Sequence, residues 1–390
     1  MNLRPEHQLL LSIARRETAM TEIQSFASAP IDWDYVTATA YAHGLLPLLN
    51  HHLNSLDLVP AHVRSHLKRE SVANSQSVLH LVGKQLRIHK LFNEHNIPVA
   101  SFKGPLLAQL AYGEMSLRQA GDIDLLIHRH DFAQARLLLE SLGYEMMPRL
   151  TPAQLVSHLA NHCEIQFMRD DWLTVVDLHW DLAPRSFVFG VKADEVMSRL
   201  QSVSLAGTTV ETFGAEDLVL YQAMHGSKHL WRRLEWISCL AESLRATPAI
   251  NWDTLIDRAT KAHATRILAL GLRLIQKFSD VHVPPEVLSS VDPEKAMQRM
   301  ATQIRSHLFT TFGPAESTET NLYNLRIMDR KRDALVSALR SVFVPTFPDW
   351  QSLTLPASLH SLYYAYRPLR LSKIYGASLW RKLTSGARNA

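Results

Sequence analysis

The stretch DIDLLI, residues 122–127, places two carboxylates one residue apart at the head of an apolar run. Its length and its isoleucine and leucine content predict a buried β-strand. Side chains at positions i and i+2 of a strand point to one face, so Asp122 and Asp124 would lie roughly 6.5 Å apart along it. Two carboxylates placed in this way can converge on one divalent cation or share two. On these residues alone, an arrangement in which Asp122 caps a turn and Asp124 pairs with Arg118 or Arg129 remains equally open.

A third carboxylate is expected on a neighbouring strand. Two metal ions about 3.5–4 Å apart clamp the attacking and leaving oxygens of an in-line phosphoryl displacement, and Mg²⁺ requires hard oxygen ligands. Asp177 fits this position because TVVDLHW embeds a single acid in an apolar strand. Glu164, in CEIQF, is the alternative.

An anion-binding turn is predicted upstream of the paired acids, where the short strand IPVASF (97–102) leads into a helix. Gly104 lets the backbone approach a ligand closely, and Pro105 presets the first helical turn. The exposed N–H groups and the positive end of the helix dipole favour an anion. Lys103 adds a full charge, and Arg118 is a second candidate for a phosphate oxygen. A plain connecting turn with a solvated lysine is the alternative.

The spacing of apolar residues divides the chain into three segments with different periodicity. Residues 5–95 and about 215–345 have the periodicity of helices, whereas the segment between them mixes strands with helices. In that middle segment the predicted strands are 97–102, 122–127, 163–168 and 173–180, with a turn at 169–171. The predicted helices are 103–113, one within 130–146 that Gly143 stops, and 151–162.

Together these motifs resemble the polymerase-β-like nucleotidyltransferases, in which a strand, glycine turn and helix precede D-h-D on the next strand and a lone acid on a later one. More closely, roughly residues 30–245 are similar to an uncharacterised bacterial nucleotidyltransferase family with K-G, R-x-x-x-D-h-D and D-L-H-W signatures. The resemblance implies an α+β fold, with a short mixed sheet and helices as the polymerase-β-like core. The residue pattern itself divides the chain into an N-terminal helical region (1–95), the core (96–214) and a C-terminal helical region with a basic aromatic tail (215–390).

The resemblance also implies roles for individual residues. The implied metal ligands and catalytic acids are Asp122, Asp124 and Asp177. The residues implied around the triphosphate are Lys103, Gly104 and Arg118. Mg²⁺ or Mn²⁺ is the expected cofactor, and a nucleoside triphosphate, with ATP as the first choice, is the expected substrate.

Two positions depart from the pattern. The wider superfamily has Gly-Ser or Gly-Gly at the turn, but here Gly104 is followed by Pro105, so the usual serine contact to a phosphate is missing. Lys103 is a candidate substitute for that contact. Cys239 stands after EWIS, where an aspartate is expected.

Histidines near these motifs are further candidates. His179 lies two residues after Asp177, on the same strand face, where it could orient substrate or accept a proton. A structural histidine beside Trp180 is the alternative. His158 and His162 form an i, i+4 pair for which we expect structural roles.

A second histidine pair, His225 and His229, lies within HGSKHLWRR. A zinc site is disfavoured because the pair lacks the glutamate of HExxH and a third ligand. We expect this helix to close over the cleft and to place Lys228, His229 or Arg232 near the nucleotide or the acceptor. Ordinary helix packing is the alternative.

The amino-acid composition indicates the class of protein and its cellular compartment. Hydrophobic residues make up 46% and charged residues 20%, as in ordinary globular proteins rather than disordered ones. The two cysteines form no CxxC pattern, no secretory leader is evident, and no apolar stretch approaches 18 residues, so a reducing, cytoplasmic location is expected.

The net charge of +4 is concentrated towards the end of the chain, because no acid follows Asp349 whereas six Lys or Arg residues do. Aromatic residues alternate with these cations. This tail suits a nucleic acid or a membrane surface, and equally a C-terminal helix that packs its aromatics on the body.

The sequence therefore predicts a metal-dependent transfer of an NMP from an NTP to an unidentified acceptor, a small molecule, a peptide or protein, or an RNA, with release of pyrophosphate. The alternative is a catalytically silent nucleotide-binding protein with a regulatory or scaffold role, which the Gly-Pro turn favours.

Overall fold

The computed structural model describes residues 4–54, 56–169, 174–309 and 317–386. Within this part of the chain, seven strands form one mixed sheet in the order β3-β4-β5-β2-β1-β7-β6. The strands are β1 (Val99–Ser101), β2 (Asp122–Ile127), β3 (Glu145–Met147), β4 (Glu164–Met168), β5 (Val175–His179), β6 (Gln201–Leu205) and β7 (Thr208–Thr212).

Helices precede, interrupt and follow the strands. The first eight are α1 (Pro5–Ile13), α2 (Met20–Ala27), α3 (Trp33–Ala42), α4 (Leu46–Leu53), α5 (Ala61–Glu94), α6 (Gly104–Tyr112), α7 (Phe132–Ser141) and α8 (Pro152–Asn161). The others are α9 (Ala193–Met197), α10 (Ala215–Lys228), α11 (Leu234–Ala246), α12 (Trp252–Lys261), α13 (Thr265–Phe278), α14 (Pro285–Val291), α15 (Ala296–His307), α16 (Ser317–Ile327), α17 (Lys331–Phe343), α18 (Phe347–Ser352) and α19 (Tyr363–Gly386). Among the described helices, none combines the length and apolarity needed to cross a bilayer.

The alternation of side chains along β2 explains why paired acids begin an apolar strand. Ile123, Leu125 and Ile127 point to one face of the sheet, where they join an apolar cluster with residues of α5 and α7. Asp122 and Asp124 point to the opposite face. Burial of every second residue thus fixes the orientation of β2 in the sheet. Its two acids then lie together on the opposite face.

A second apolar cluster covers part of that opposite face. It extends into helices that precede the strands in sequence and into helices that follow them. It includes Leu9 of α1, Leu126 of β2, Tyr221 of α10 and Leu268 of α13, all of them buried. The N-terminal helices, the sheet and the C-terminal helices therefore share one core.

The α+β fold is confirmed, with a nucleotidyltransferase-like core and helical flanks. β1, β2, β4 and β5 lie within the predicted strands, and α6 ends at Gly113 in the left-handed conformation (φ 70°). The helix predicted within 130–146 and stopped by Gly143 corresponds to α7, which ends at Ser141, and the short strand β3 follows Gly143. The hairpin of β6 and β7 was not predicted. The predicted turn at 169–171 lies outside the described residues, apart from Arg169.

Candidate metal and nucleotide site

The three predicted acids lie on one face of two adjacent strands. β2 and β5 are parallel, and their register pairs Asp124 directly with Asp177. Asp122 lies two residues earlier on β2 and therefore on the same face. Asp177 is 9% exposed, and its Oδ1 atom is buried without a hydrogen-bond partner. The structure thus places the three carboxylates on one face, with one buried acceptor atom unused, although the described groups that could hold a metal ion include Asp124 and Asp177 but not Asp122.

Two cationic or potentially cationic side chains reach the same oxygen of Asp124. Lys103 Nζ lies 2.7 Å from Asp124 Oδ1, and His179 Nε2 lies 3.0 Å from it. His179 is almost fully buried because it ends β5 and contacts the edge of the Phe102 ring. The Lys103 ammonium also lies 5.7 Å from the centre of the Tyr221 ring.

Glu164 lies on the far side of His179. The antiparallel register of β4 and β5 pairs Glu164 with His179, and the carboxylate Oε2 lies 3.1 Å from Nδ1 of the imidazole. Both ring nitrogens of His179 therefore face a carboxylate. From the sequence, Glu164 is only an alternative to Asp177, but the structure places both acids beside the same histidine.

The pKa values of the neighbouring carboxyl groups in the site are shifted in different directions. Burial raises the pKa of Asp122 to about 6, and the neighbouring charges of Asp124 and Asp177 add to this effect. Burial also opposes ionisation of Asp124, but Lys103 and His179 outweigh it and hold the pKa of that carboxyl well below its ordinary value. Adjacent carboxyl groups thus differ in how readily they hold a proton.

The pKa of Glu164 is likewise low. Burial alone would raise it, but His179, Lys228 and Lys103 lower it to about 2. Burial and the positive charges of Lys228 and Lys103 lower the pKa of His229 to about 4. Lys228 and His229, at the C-terminal end of α10, therefore act electrostatically on the same site.

The glycine turn adjoins the acids as predicted from its position. Gly104 begins α6 with φ +58°, and a Cβ atom there would lie 3.4 Å from the backbone oxygen of Asp122. Pro105 follows in the first helical turn, where a missing N–H has no cost. The N-terminus of α6 thus lies against the start of β2.

Arg118 pairs with an acid that no sequence motif indicates. Its Nε atom lies 2.6 Å from Glu235 Oε1, and both side chains are buried. Glu235 also pairs with Arg233 at 2.8 Å. The sequence signal was weak, because Glu235 is 117 residues away from Arg118 and lies in an ordinary first helical turn of α11.

Arg118 nevertheless lies near the triphosphate candidates, because it shares a small cavity with Lys103. The remaining walls of this cavity come from α6, α10 and α11 and are Leu107, Tyr221, Gln222, His225, Trp236 and Cys239.

Arg232 lies elsewhere. Its side chain lines a separate cavity of about 480 Å³ between the α10–α11 connection and helices α15 and α16, whose walls include none of the acids. Leu230 and Trp231 both have positive φ, and Trp231 packs on Gly226, where a Cβ atom would lie 2.4 Å from the indole. This tight turn directs His229 and Arg232 to different parts of the protein.

Two groups of described side chains could hold a metal ion, and they share His179. One is Asp124, Asp177 and His179, and the other is Cys163, Glu164 and His179. Neither group contains His225 or His229, whose rings are tilted by 57° to each other with centroids 4.8 Å apart. The rings of His158 and His162 stack at 4.2 Å, and Glu164 O lies 2.9 Å from Nε2 of His158.

The strand, glycine turn and helix, followed by two acids on β2 and a third on the adjacent parallel β5, are consistent with a nucleotidyltransferase-like core. The sequence profile of a family described as uncharacterised nucleotidyltransferase matches residues 29–280. The match covers more than half of the chain, which therefore belongs to this family of transferases. No curated protein gives a significant match.

Proposed function

We propose that the protein transfers an NMP group from a nucleoside triphosphate to an acceptor hydroxyl. A bond forms between the acceptor oxygen and the α-phosphorus, the bond from that phosphorus to the bridging oxygen breaks, and pyrophosphate leaves. The acceptor proton passes to a base or to water. The observation that carries this proposal is the direct pairing of Asp124 with Asp177 beside the glycine turn.

The site fits a divalent metal on its donor chemistry. Asp122, Asp124 and Asp177 offer hard oxygen ligands, and the unpartnered Oδ1 of Asp177 is a buried acceptor that a cation would satisfy. A bound Mg²⁺ or Mn²⁺ would activate the acceptor hydroxyl and neutralise charge on the triphosphate. We assign these three residues as ligands and the reaction to the NMP-transferring enzymes.

The triphosphate is assigned to the turn that precedes α6. Lys103 supplies a charge and Gly104 allows the approach of an anion to the N-terminus of the helix. Lys228 and His229 act electrostatically on Glu164 and Lys103, and Arg118 lines the same small cavity as Lys103. ATP is our first choice of substrate, although no described contact selects a base.

We further propose that residues 96–214 carry the transfer chemistry and that the helical regions 1–95 and 215–390 shape the acceptor site. Acceptor pockets have no portable motif, so a small molecule, a peptide or protein, and an RNA are all candidates. Arg232 belongs to this part of the proposal, since it lines the cavity beside α15 and α16. A cytoplasmic location suits an NTP-using enzyme whose two cysteines are free and buried.

The test is the release of pyrophosphate from each of the four NTPs by purified protein, with Mg²⁺ or Mn²⁺ and cell extract fractions as the source of acceptor. Radiolabel from [α-³²P]NTP should enter a product that the Asp124→Asn variant does not form. Equal label in both proteins would contradict the proposal.

Nucleotide binding without turnover is the second candidate, favoured by one observation. The Lys103 ammonium lies on a carboxylate that a metal would need. If nucleotide raises the melting temperature while no NTP, metal or extract fraction gives labelled product, this second function replaces the first.

The C-terminal helices suggest a further contact, which we assign to an anionic membrane surface. Of 18 large apolar side chains that are exposed in the described residues, 11 lie between Leu322 and Ile374. On α17 four of them follow helical spacing on one side, Leu335, Leu339, Val342 and Phe343.

The charges around these side chains favour the same partner. Lys331, Arg332 and Lys373 are exposed, whereas none of the acids described between 320 and 374 is exposed. Exposed leucines with cations suit anionic lipid, whereas nucleic-acid surfaces rely on aromatic stacking.

A further inference from the structure

The geometry around Asp124 allows an imidazole to be part of the metal centre. His179 Nε2 lies 3.0 Å from Asp124 Oδ1. Two ligands at right angles on an octahedral ion with bonds of about 2.1 Å lie about 3 Å apart, so both atoms can bind one ion without rearrangement of the strands.

A third donor completes the same group. Ligand atoms of Asp124, Asp177 and His179 lie within 4.8 Å of one another. Oδ1 of Asp177 is buried and has no hydrogen-bond partner, although its strand pairing directs it to this face. Buried acceptors are normally satisfied, so this atom points independently to a missing cation.

Glu164 lies beside the imidazole. Its Oε2 is 3.1 Å from Nδ1 of His179, close enough for an ion pair, although Nδ1 makes no hydrogen bond in this structure. A small rotation of the imidazole that directs an Nδ1 proton at Glu164 would leave the lone pair of Nε2 directed at the acids, which is the carboxylate–histidine arrangement that commonly supports a metal ligand. His179 is thus placed as a ligand, rather than only as a hydrogen-bond donor.

Lys103 competes for the same place. Its Nζ lies 2.7 Å from Asp124 Oδ1, the oxygen that also faces His179. An ammonium and a divalent ion cannot both occupy this position, because each needs the same lone pairs and they repel each other. A metal would therefore displace Lys103, whose backbone immediately precedes the helix N-terminus proposed for the triphosphate.

We propose that Asp124, Asp177 and His179 form a metal centre with Nε2 as a nitrogen ligand, and that Lys103 occupies the cation position until the metal binds. The nitrogen ligand favours Mn²⁺ or another transition metal over Mg²⁺, which prefers oxygen alone. This inference rests on the proposed metal dependence, but it concerns binding and can be tested without any nucleotide or acceptor.

The first test is pulsed EPR of Mn²⁺ bound to the full-length protein. Modulation from a directly bound ¹⁴N nucleus is expected, and protein labelled with ¹⁵N-histidine should show ¹⁵N modulation in its place. His179→Gln should abolish the signal, whereas the matched control His229→Gln should retain it. The labelled wild-type protein gives an answer even if His179→Gln does not fold.

The second test compares metal affinities. His179 and Lys103 both contact Oδ1 of Asp124, and removing one or the other should have opposite effects on Mn²⁺ binding. His179→Gln should reduce the ratio of Mn²⁺ to Mg²⁺ affinity at least about tenfold. Lys103→Met should raise the Mn²⁺ affinity about tenfold, because the competing ammonium is gone. Lys228→Met removes a charge that does not touch Asp124 and should raise it much less.

Absence of nitrogen modulation in the wild-type protein, or lower Mn²⁺ affinity in Lys103→Met, would overturn the inference. The same experiments can reject the proposed function without rejecting this inference, and the reverse. Labelled product formed without nitrogen modulation would retain the transferase and reject the histidine ligand, whereas nitrogen modulation without product would do the reverse.

Discussion

Asp124 and Asp177 are paired residues of the parallel ladder between β2 and β5. Two carboxylates from segments more than 50 residues apart are therefore placed together by strand register, not by a loop. A shift of the register by one residue would turn one acid to the opposite face, where β2 and β5 bury Ile123 and Val176. The apolar core behind the sheet thus fixes the geometry of the acids in front of it.

The first prediction concerns the paired acids. Asp177→Asn keeps the size of the side chain but removes its charge, so we expect NMP transfer at least about 100-fold slower, with the fold retained. Incorporation of label from [α-³²P]NTP and circular dichroism measure the two effects. Glu140→Gln, in a surface ion pair with Arg136, is the control and should transfer at the wild-type rate.

The second prediction concerns pH and Asp122. Its pKa is about 6 in the folded protein against an ordinary 3.8, so the folded state binds this proton more tightly and ionisation costs stability as pH rises from 4 to 6. At about 1.4 kcal/mol per pKa unit, the cost in metal-free protein is about 3 kcal/mol at pH 7.

Asp122→Asn should therefore raise the melting temperature of metal-free protein at pH 7 and leave it nearly unchanged at pH 3.5, as differential scanning fluorimetry would measure. A gain of the same size at both pH values would show that the carboxylate charge is not responsible.

The third prediction compares two glycines. Gly104→Ala forces a side chain into the left-handed region and should lower the free energy of unfolding by about 1 kcal/mol or more, and weaken NTP binding. Gly83 lies inside α5, and a Cβ atom added there would have no neighbouring atom within 4 Å, so Gly83→Ala should stabilise the protein by about 0.5–1 kcal/mol. Urea unfolding measures both; effects of the same sign would contradict the assignment.

The fourth prediction separates two roles of Arg118. Arg118→Met leaves a buried Glu235 with one partner fewer and should destabilise the protein by about 3–5 kcal/mol. Arg118→Met combined with Glu235→Gln should recover part of that loss. If NTP affinity, measured by calorimetry at a temperature where both variants are folded, stays low in the double variant, Arg118 also binds the nucleotide.

The fifth prediction tests the C-terminal surface. Vesicles with 30% phosphatidylserine should retain the protein in a flotation assay, and Leu335→Glu with Leu339→Glu should reduce the bound fraction severalfold. Leu137→Glu, at an exposed position of α7, is the matched control. Binding to single-stranded RNA that survives both leucine substitutions, without binding to vesicles, would favour nucleic acid instead.

Much of the site could be predicted because its residues are close in sequence to strong local signals. β2 was recognisable from its apolar run, and Gly104 with Pro105 marked the start of a helix. The strand period then placed Asp122 and Asp124 on one face without knowledge of the fold. Asp177 followed because a lone acid in an apolar strand needs a partner.

Other features depend on contacts between distant segments. The pairing of Arg118 with Glu235, and of His179 with Asp124, requires the sheet register and the position of α11, which no local pattern encodes. The hairpin of β6 and β7 had a usable signal, an Ala206-Gly207 turn between alternating residues, and it was missed because its strands are polar.

The shared apolar cluster has a consequence for how this protein can be divided. Because Leu9, Leu126 and Leu268 are buried in one continuous interior, a fragment limited to the sheet would expose hydrocarbon on its inner side. Such a fragment would aggregate rather than act as a small autonomous enzyme. Under the proposed function, a change of acceptor is then expected through substitutions on existing helices, and not through exchange of whole modules.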